Sequence, residues 1–207
     1  METLIPHKCT NEPLILASAS PRRSYLLEQA GLEFQVIVSD ADETCPAGAS
    51  PRECAAMLSE KKALAVAESH PGHWVLGADT IVVTDGRILG KPSGMEEARD
   101  MITMLGGRTH QVLTGFSIFH VDKGVRHTEV ISTQVTFKSL SPDEIEWYLS
   151  TGEPFDKAGA YAIQGIGTFL VKSISGSYTN VVGLPVCEVI EFFMAQGVIM
   201  RTSENDG

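Results

Sequence analysis

The sequence is poor in cysteine and lacks any long apolar run. Its four cysteines form no C-x-x-C pair and have no histidine at ligand spacing, so we expect neither a structural zinc nor a disulfide framework. We interpret them as reduced thiols; they are Cys9, Cys45, Cys54 and Cys187. No run approaches the roughly 20 apolar residues of a membrane span, and we expect no signal peptide. These absences predict a cytoplasmic protein with no membrane partner.

Positive charge is also scarce. The chain carries 16 lysines and arginines against 26 aspartates and glutamates, a formal net charge of −10. A general nucleic-acid-binding protein is usually basic, so we expect no nucleic-acid partner. The balance still allows a small anion to bind in a local cationic pocket.

The order of the predicted elements indicates an α/β fold. Strands and helices alternate early and hairpins dominate the middle, a pattern typical of a mixed sheet flanked by helices. We predict a flexible leader at 1–12, a single α/β domain at 13–200 with two lobes and a cleft between them, and a polar tail at 201–207. The predicted helices are 21–30, 51–69, 94–105, 142–150 and one from about 183. The predicted strands are 14–17, 34–38, 74–78 continuing through 80–84, 87–89, 110–121, 125–138 and 169–174.

The start of the first helix differs from the others. Ser20 and Pro21 are typical of an N-cap and a first helical residue, but Arg22 and Arg23 follow. Three later helices start with capping boxes, whose glutamate suits the positive helix end, at 50–53, 93–96 and 141–144. Two cations at a helix N-terminus predict a phosphate site in which the anion balances the charge. The alternative is a pair of solvated surface arginines.

Acidic residues suggest a cation site. Asp79 stands at the C-terminal end of a strongly apolar strand, where it could hold Mg²⁺ or orient a water. Asp42 and Glu43 follow the second predicted strand and could share that cation with Asp79. A turn aspartate and an acidic surface loop are the alternatives.

Lysines and one glutamine complete the candidate set. Lys61 and Lys62 lie on the long helix, and Lys91 stands between Gly90 and Pro92; a lysine is a compact charge suited to a phosphoryl oxygen. A lone helical lysine is more often simply solvated. Gln164 could read a base edge with its amide, or could be bonded to nearby backbone. The chain contains no Walker A loop, G-x-S-x-G elbow or G-x-G-x-x-G fingerprint.

Taken together, these motifs resemble the Maf family, which is named for a septum formation protein and is similar to nucleoside triphosphate pyrophosphatases. The resemblance extends from about residue 14 to about residue 193. The matching segments, in order, are ASASPRR (17–23), the Asp-Glu pair (42–43), LGADTIVV (76–83), LGKP (89–92), GGRTHQVLTG (106–115), TGEPFDKAGAYAIQG (151–165) and NVVGLP (180–185).

The resemblance implies an elongated α/β fold similar to that of inosine triphosphate pyrophosphatases. It implies metal-assisted hydrolysis of a nucleoside triphosphate to the monophosphate and pyrophosphate, with Mg²⁺ or Mn²⁺ as the divalent cation. The catalytic residues it implies are Asp79, Glu43, Lys62 and Lys91, with Glu43 and Asp79 as metal ligands. Lys61, the neighbour of Lys62, is the weaker candidate. The substrate-binding residues it implies are Ser18, Arg22, Arg23, Thr80 and Gln164.

The resemblance also bears on the substrate. One subgroup resembles dTTP and UTP pyrophosphatases and carries a threonine and a glutamine where this chain has Thr80 and Gln164. Another resembles 7-methyl-GTP pyrophosphatases and carries other residues at both positions. We therefore expect dTTP, UTP or a modified pyrimidine nucleotide as substrate. The alternatives are a pyrophosphatase for 7-methyl-GTP or another modified nucleotide, and a nucleotide-binding regulator of cell division with little turnover. A homodimer is expected on base rates alone.

Overall fold

The computed structural model describes residues 12–199, so the predicted tail and all but residue 12 of the predicted leader lie outside the described residues. One mixed sheet of seven strands forms the centre. The strands are β1 Leu14–Leu16, β2 Gln35–Val36, β3 Trp74–Thr84, β4 Arg87–Leu89, β5 Thr109–His120, β6 Val125–Phe137 and β7 Val171–Ser175. Their order in the sheet is β2-β1-β3-β5-β6-β7, with β4 paired to β3. The β1 strand runs parallel to β2 and β3, whereas the other pairs are antiparallel.

Helices cover both faces of the sheet, which confirms the predicted mixed α/β fold. The helices are α1 Pro21–Gln29, α2 Pro51–Ala67, α3 Met95–Leu105, α4 Pro142–Ser150, α5 Tyr178–Val182 and α6 Val186–Ala195, with 3₁₀ turns at Glu153–Asp156, Ala158–Ala160 and Gly165–Leu170. The short α5 was not predicted, and α6 begins later than expected. Within residues 12–199, no helix has the length and apolarity needed to span a bilayer.

The side chains of β3 point alternately to the two faces of the sheet, and each face has its own part of the hydrophobic core. Val75, Ile81 and Val83 pack with residues of α2 on one face of the sheet. Trp74 and Leu76 point to the other face, where they pack with α1 and α6. This is the period of two expected for a strand that is covered on both faces, and it explains why nearly every residue of β3 is buried.

Two glycines bring α2 unusually close to the sheet. A Cβ atom added at Gly77 would lie 2.5 Å from the backbone nitrogen of Ala63, and one added at Gly115 would lie 2.2 Å from the carbonyl oxygen of Ala55. Only residues without a Cβ allow the two backbones this approach. The position of α2 over β3 and β5 is therefore fixed by the sequence at these two points.

Local signals at turns and helix starts were mostly reliable. The Asp85-Gly86 turn joins β3 to β4 with a positive φ at both residues, 48° and 75°, as a two-residue hairpin requires. The capping boxes at 50–53 and 141–144 form as predicted. The one predicted at 93–96 is wrong: Gly94 is the N-cap of α3, and the backbone nitrogen and Oγ of Ser93 both donate to Glu97. Glu97 supplies the acceptor one residue later than a capping box would.

The interpretation of all cysteines as reduced thiols is wrong for one pair. The loop between β2 and α2 turns back so that Cys45 meets Cys54 in the first turn of α2, and the two are joined as a disulfide. Their Cα atoms are 5.4 Å apart, within the usual range for such a bond. Cys187 is free and exposed. The bonded cysteines are nine positions apart in the sequence, so a search for C-x-x-C spacing could not find them.

Candidate active site

The site lies where one side of β3 lacks a partner strand. On that side β1 pairs with residues 74–76 and β4 pairs with residues 82–84. Among the strands of the described chain, none pairs with residues 77–81 on this side. A cavity of about 590 Å³ opens there, and we call it the cleft. It is lined by α1, α2, the loop after β2, the middle of β3 and the segments 88–91, 156–158 and 161–164.

The cleft brings together all of the catalytic and substrate-binding residues that the family resemblance implied. They come from six separate segments of the chain, and the longest separation between them exceeds half its length. They are Ser18, Arg22, Arg23, Glu43, Lys62, Asp79, Thr80, Lys91 and Gln164.

Asp79 lies in the middle of β3, which corrects its predicted position at the C-terminal end of a strand. Residues 74–84 form one uninterrupted strand, and Asp79 pairs across the sheet with Gly115. The carboxylate still reaches the cleft because β3 has no partner there on its other side. Its Oδ1 accepts a hydrogen bond of 2.6 Å from Lys62 Nζ, and both side chains are largely buried, 14% and 12% exposed.

Lys62 joins the two carboxylates of the candidate catalytic set. Its Nζ also lies 2.7 Å from Glu43 Oε1, so Glu43 and Asp79 converge on the same ammonium group. The hydrogen bond from Lys62 is the main reason that the pKa of Glu43 lies below its ordinary value, and the charges of Lys62, Lys91 and Arg23 act in the same direction. Glu43 is therefore an anion at neutral pH.

The neighbouring pair Asp42 and Lys61 lies apart from the cleft. Lys61 Nζ is 3.7 Å from Asp42 Oδ2, and both side chains are exposed. Asp42 Oδ1 accepts hydrogen bonds from the backbone nitrogen and hydroxyl of Thr44, at 3.0 and 2.6 Å, and so stabilises its own turn. Asp42 does not line the cleft with Asp79, and Lys62 rather than Lys61 faces it.

Arg23 is held rigidly by neutral acceptors. Its Nε donates to the carbonyl oxygen of Gly183 at 2.8 Å, Nη1 to Ser18 Oγ at 2.9 Å and Nη2 to Thr80 Oγ1 at 3.1 Å. Arg23 is 8% exposed, so it is not a solvated surface arginine. Burial lowers its pKa from the ordinary value, whereas the charge of Asp79 raises it. A buried guanidinium without a bonded carboxylate favours an anion nearby.

Thr80 points to the opposite face of the sheet from Asp79. Besides Arg23, its Oγ1 contacts Thr114 Oγ1 at 2.9 Å, and Thr114 donates to the carbonyl oxygen of Asn180 at 2.9 Å. Asn180 is fully buried and in turn bonds Val112 and Thr133. This network ties α5 to the sheet behind Arg23. Nothing in the spacing of the sequence revealed it, apart from the NVVGLP segment that contains Asn180.

The remaining predicted residues lie around the mouth of the cleft. Arg22 is partly exposed, and its Nη1 is 3.6 Å from Asp156 Oδ2. Lys91 follows β4 and is exposed. Gln164 is half-buried, and its side chain forms no hydrogen bond with any other residue of the described region. The alternative in which this amide is bonded to nearby backbone is therefore not observed.

The cleft also contains charged residues that were not assigned to the site. Lys157 Nζ donates to the carbonyl oxygen of Glu153 at 2.8 Å and to Asp156 Oδ1 at 2.5 Å. With Lys157 included, five basic side chains and three acidic ones line the cleft. The chain as a whole has the opposite balance, with a net charge of −10. The cleft is therefore a local cationic site suited to a polyanion of limited size.

The donor set of the cleft fits a hard divalent cation. Glu43 and Asp79 supply carboxylate oxygens at one point. No group of three or more potential ligands exists among residues 12–199, so the protein alone would provide only part of a coordination shell. Mg²⁺ is commonly bound in this way, through one or two carboxylates together with substrate phosphates and water.

Comparisons with known proteins agree with these observations. The family model described as Maf-like protein matches residues 13–196. A relative from Syntrophus aciditrophicus, named dTTP/UTP pyrophosphatase, is 52% identical over 186 residues, covering 90% of this chain and 91% of the relative. A protein of the same name from Halalkalibacterium halodurans is 49% identical and covers 92% of this chain and 99% of its own length.

Among solved structures, that of the Staphylococcus aureus Ham1 protein aligns with a TM-score of 0.43 and 16% identity, covering 77% of this chain and 80% of that one. The family match, by contrast, extends over almost all of the described residues and includes every residue that lines the cleft. This chain therefore belongs to the Maf-like protein family.

Proposed function

We propose that this protein hydrolyses dTTP and UTP to the nucleoside monophosphate and pyrophosphate. The observation that supports this most strongly is the cleft, where nine candidate residues surround one cationic cavity within a strongly acidic chain. The names of the Syntrophus and Halalkalibacterium relatives support the reaction and the substrates. The volume of about 590 Å³ is within the range that accommodates a nucleotide-sized ligand.

The cations of the cleft bind the triphosphate. Arg23 lies at the N-terminal turn of α1, where free backbone N–H groups and the helix dipole add to its charge. Arg22 and Lys91 are more exposed and engage phosphate oxygens at the mouth of the cleft. An entering triphosphate competes with Asp156 for Arg22, because the ion pair at 3.6 Å is solvated and weak.

Asp79 orients the water that attacks the α-phosphorus and accepts a proton from that water. Lys62 holds Asp79 in place through its 2.6 Å hydrogen bond and places a positive charge beside the reacting phosphate. Glu43 and Asp79 would together hold a divalent cation, Mg²⁺ or Mn²⁺. Such a cation would supply positive charge to the phosphate oxygens and to the leaving pyrophosphate.

Gln164 reads the base. Its amide can donate to a pyrimidine carbonyl oxygen and accept from the N3–H of thymine or uracil. Because its side chain has no hydrogen-bond partner among the described residues, it is available for this contact without breaking another. Thr80 acts by fixing Arg23, whose Nη2 donates to the Thr80 hydroxyl at 3.1 Å.

The test is pyrophosphate release from a panel of canonical and modified nucleoside triphosphates, with Mg²⁺ and with EDTA. We expect cleavage of dTTP and UTP that EDTA abolishes, with purine nucleotides slow. The variant Asp79→Asn should lose turnover while it still binds nucleotide, and Asp143→Asn, on the exposed first turn of α4, serves as the control. Cleavage of 7-methyl-GTP alone would overturn the substrate, and nucleotide binding without any cleavage would favour the regulator.

A further inference from the structure

A carboxylate outside the candidate set holds the segment that carries Gln164. Glu153 begins a 3₁₀ turn just after α4. Its Oε2 accepts from the backbone nitrogen of Ile166 at 2.9 Å, and its Oε1 accepts from that of Gly167 at 2.8 Å. The hydroxyl of Tyr148 donates to the same Oε1 at 3.0 Å. Three donors therefore converge on one carboxylate, and the two backbone donors are 13 and 14 residues away in the chain.

The backbone packs so closely around Glu153 that positions 165 and 167 leave no room for a side chain. A Cβ atom added at Gly165 would lie 2.5 Å from Glu153 Oε2, and Gly165 has a φ of +75° that disfavours any side chain. A Cβ atom added at Gly167 would lie 2.4 Å from the carbonyl oxygen of Ala162 and 3.0 Å from Glu153 Oε1. The segment therefore follows the carboxylate closely on the C-terminal side of Gln164.

The N-terminal side of Gln164 is attached to the same group. The backbone nitrogen of Ala162 donates to the hydroxyl of Tyr148 at 3.4 Å, and that hydroxyl donates to Glu153. Tyr148 is fully buried, and the burial together with the charge of Glu153 raises its pKa, so it remains a donor. Gln164 is thus held on both sides while its own side chain forms no hydrogen bond within the described region.

We propose that Glu153 is a positioning residue for substrate specificity, which fixes the Gln164 amide against the pyrimidine edge through the backbone of residues 162–167. This inference rests on the function proposed above. It assigns base selection to Gln164 together with Glu153 and Tyr148, neither of which lines the cleft.

The chemistry of the donors requires a carboxylate at this position. Both oxygens of Glu153 accept from backbone N–H groups, and an amide has only one oxygen. In Glu153→Gln, whichever way the amide is turned, one backbone N–H group at 166 or 167 faces an NH₂ group and loses its acceptor. The segment is then released on one side, and Gln164 loses its fixed orientation.

The experiment compares dTTP with dCTP, which share the deoxyribose and the triphosphate but differ at N3 and C4 of the base and in the C5 methyl group of thymine. We expect the ratio of kcat/KM for dTTP to that for dCTP to fall about tenfold in Glu153→Gln, the value of one hydrogen bond. The loss should appear as a raised KM for dTTP with kcat largely retained, because the triphosphate residues are untouched.

Two further variants exclude a merely structural effect. Glu144→Gln makes the same chemical change in the capping box of α4, where Glu144 accepts from Ser141 and Lys138, and should leave the ratio unchanged. Tyr148→Phe removes one donor to Glu153 and should lower the ratio in the same direction, which keeps the proposal testable if Glu153→Gln folds poorly.

The outcomes separate the two proposals. Wild-type selectivity in both Glu153→Gln and Tyr148→Phe, or an equal loss of activity on dTTP and dCTP, would overturn the positioning role of Glu153 alone. A wild-type protein that does not cleave dTTP, or does not prefer it to dCTP, would overturn the proposed function and this inference with it.

Discussion

Replacement of Gly115 by alanine should separate α2 from the sheet and thereby impair the site. Gly115 lies opposite Asp79 in the register of β3 and β5, directly beneath α2. The added Cβ would be 2.2 Å from the carbonyl oxygen and 2.5 Å from the carbonyl carbon of Ala55, both backbone atoms that cannot rotate away. Because Cβ contacts shorter than 3.0 Å are essentially never observed, the helix must move by roughly 1 Å.

The expected cost follows from this displacement. Overpacking of a well-packed core typically costs about 1–3 kcal/mol of unfolding free energy. For a domain of this size each 1 kcal/mol lowers Tm by about 2–4 °C, so Gly115→Ala should lower Tm by about 2–12 °C. The same shift moves Lys62, which α2 carries, away from Asp79. We therefore expect kcat to fall as well, since the 2.6 Å hydrogen bond between them is lost.

The assay is thermal unfolding followed by circular dichroism, together with steady-state kinetics on dTTP. Gly72→Ala is the matched control, because a Cβ there would meet Asp122 at an ordinary 3.5 Å and no positive φ is involved. It should be neutral or slightly stabilising. If Gly115→Ala has the same Tm and kcat as Gly72→Ala, the close contact between α2 and the sheet does not constrain the site.

Three other predictions follow from buried polar groups. Burial lowers the pKa of His110 from 6.5 to about 4, so between these values the unfolded chain binds a proton that the folded chain does not, and stability falls as the pH falls. Urea denaturation from pH 7 to pH 4 should show a loss of about 3 kcal/mol from this group, and His110→Gln should remove it. Lys62→Met should lower kcat at least about 100-fold, because Glu43 and Asp79 lose the ammonium group of Lys62 that both contact; a change confined to KM in steady-state kinetics would contradict this. Asn180→Ala removes the buried amide that donates to the carbonyl oxygen of Val112 and to Thr133 Oγ1, and should cost about 1–3 kcal/mol; an unchanged Tm would count against the network behind Arg23.

The sequence predicted most of the fold because its signals are local. Pro21, the capping boxes at 50–53 and 141–144 and the Asp85-Gly86 turn each act within four residues, and the apolar period of β3 reports burial directly. The errors did not share one cause. Glu97 replaced the expected glutamate of the third capping box, and β2 shrank to two exposed residues at the edge of the sheet.

The candidate site was predicted as a set of residues, but not as a geometry. Motifs specify which side chains are present, whereas the partners of Arg23 depend on a carbonyl oxygen 160 residues away at Gly183. The disulfide of Cys45 and Cys54 depends in the same way on how a loop turns back. The sequence did not reveal the position of Glu153 because its carboxylate accepts hydrogen bonds from backbone N–H groups. Such contacts leave no pattern of side-chain types in a single sequence.

The unpaired side of β3 explains how two successive residues serve one cleft. Asp79 and Thr80 point to opposite faces of the sheet, so in a fully paired strand they would belong to separate sites. Because no strand of the described chain pairs with residues 77–81 on this side, the cleft extends past the edge of β3 and reaches both faces. Lys62 approaches Asp79 from the face of α2, and Arg23 approaches Thr80 from the face of α1. A triphosphate lying across this edge would therefore meet cations from both faces. Asp79, which orients the water, and Thr80, which fixes Arg23, are neighbours on the same strand, so the backbone of β3 sets the distance between them.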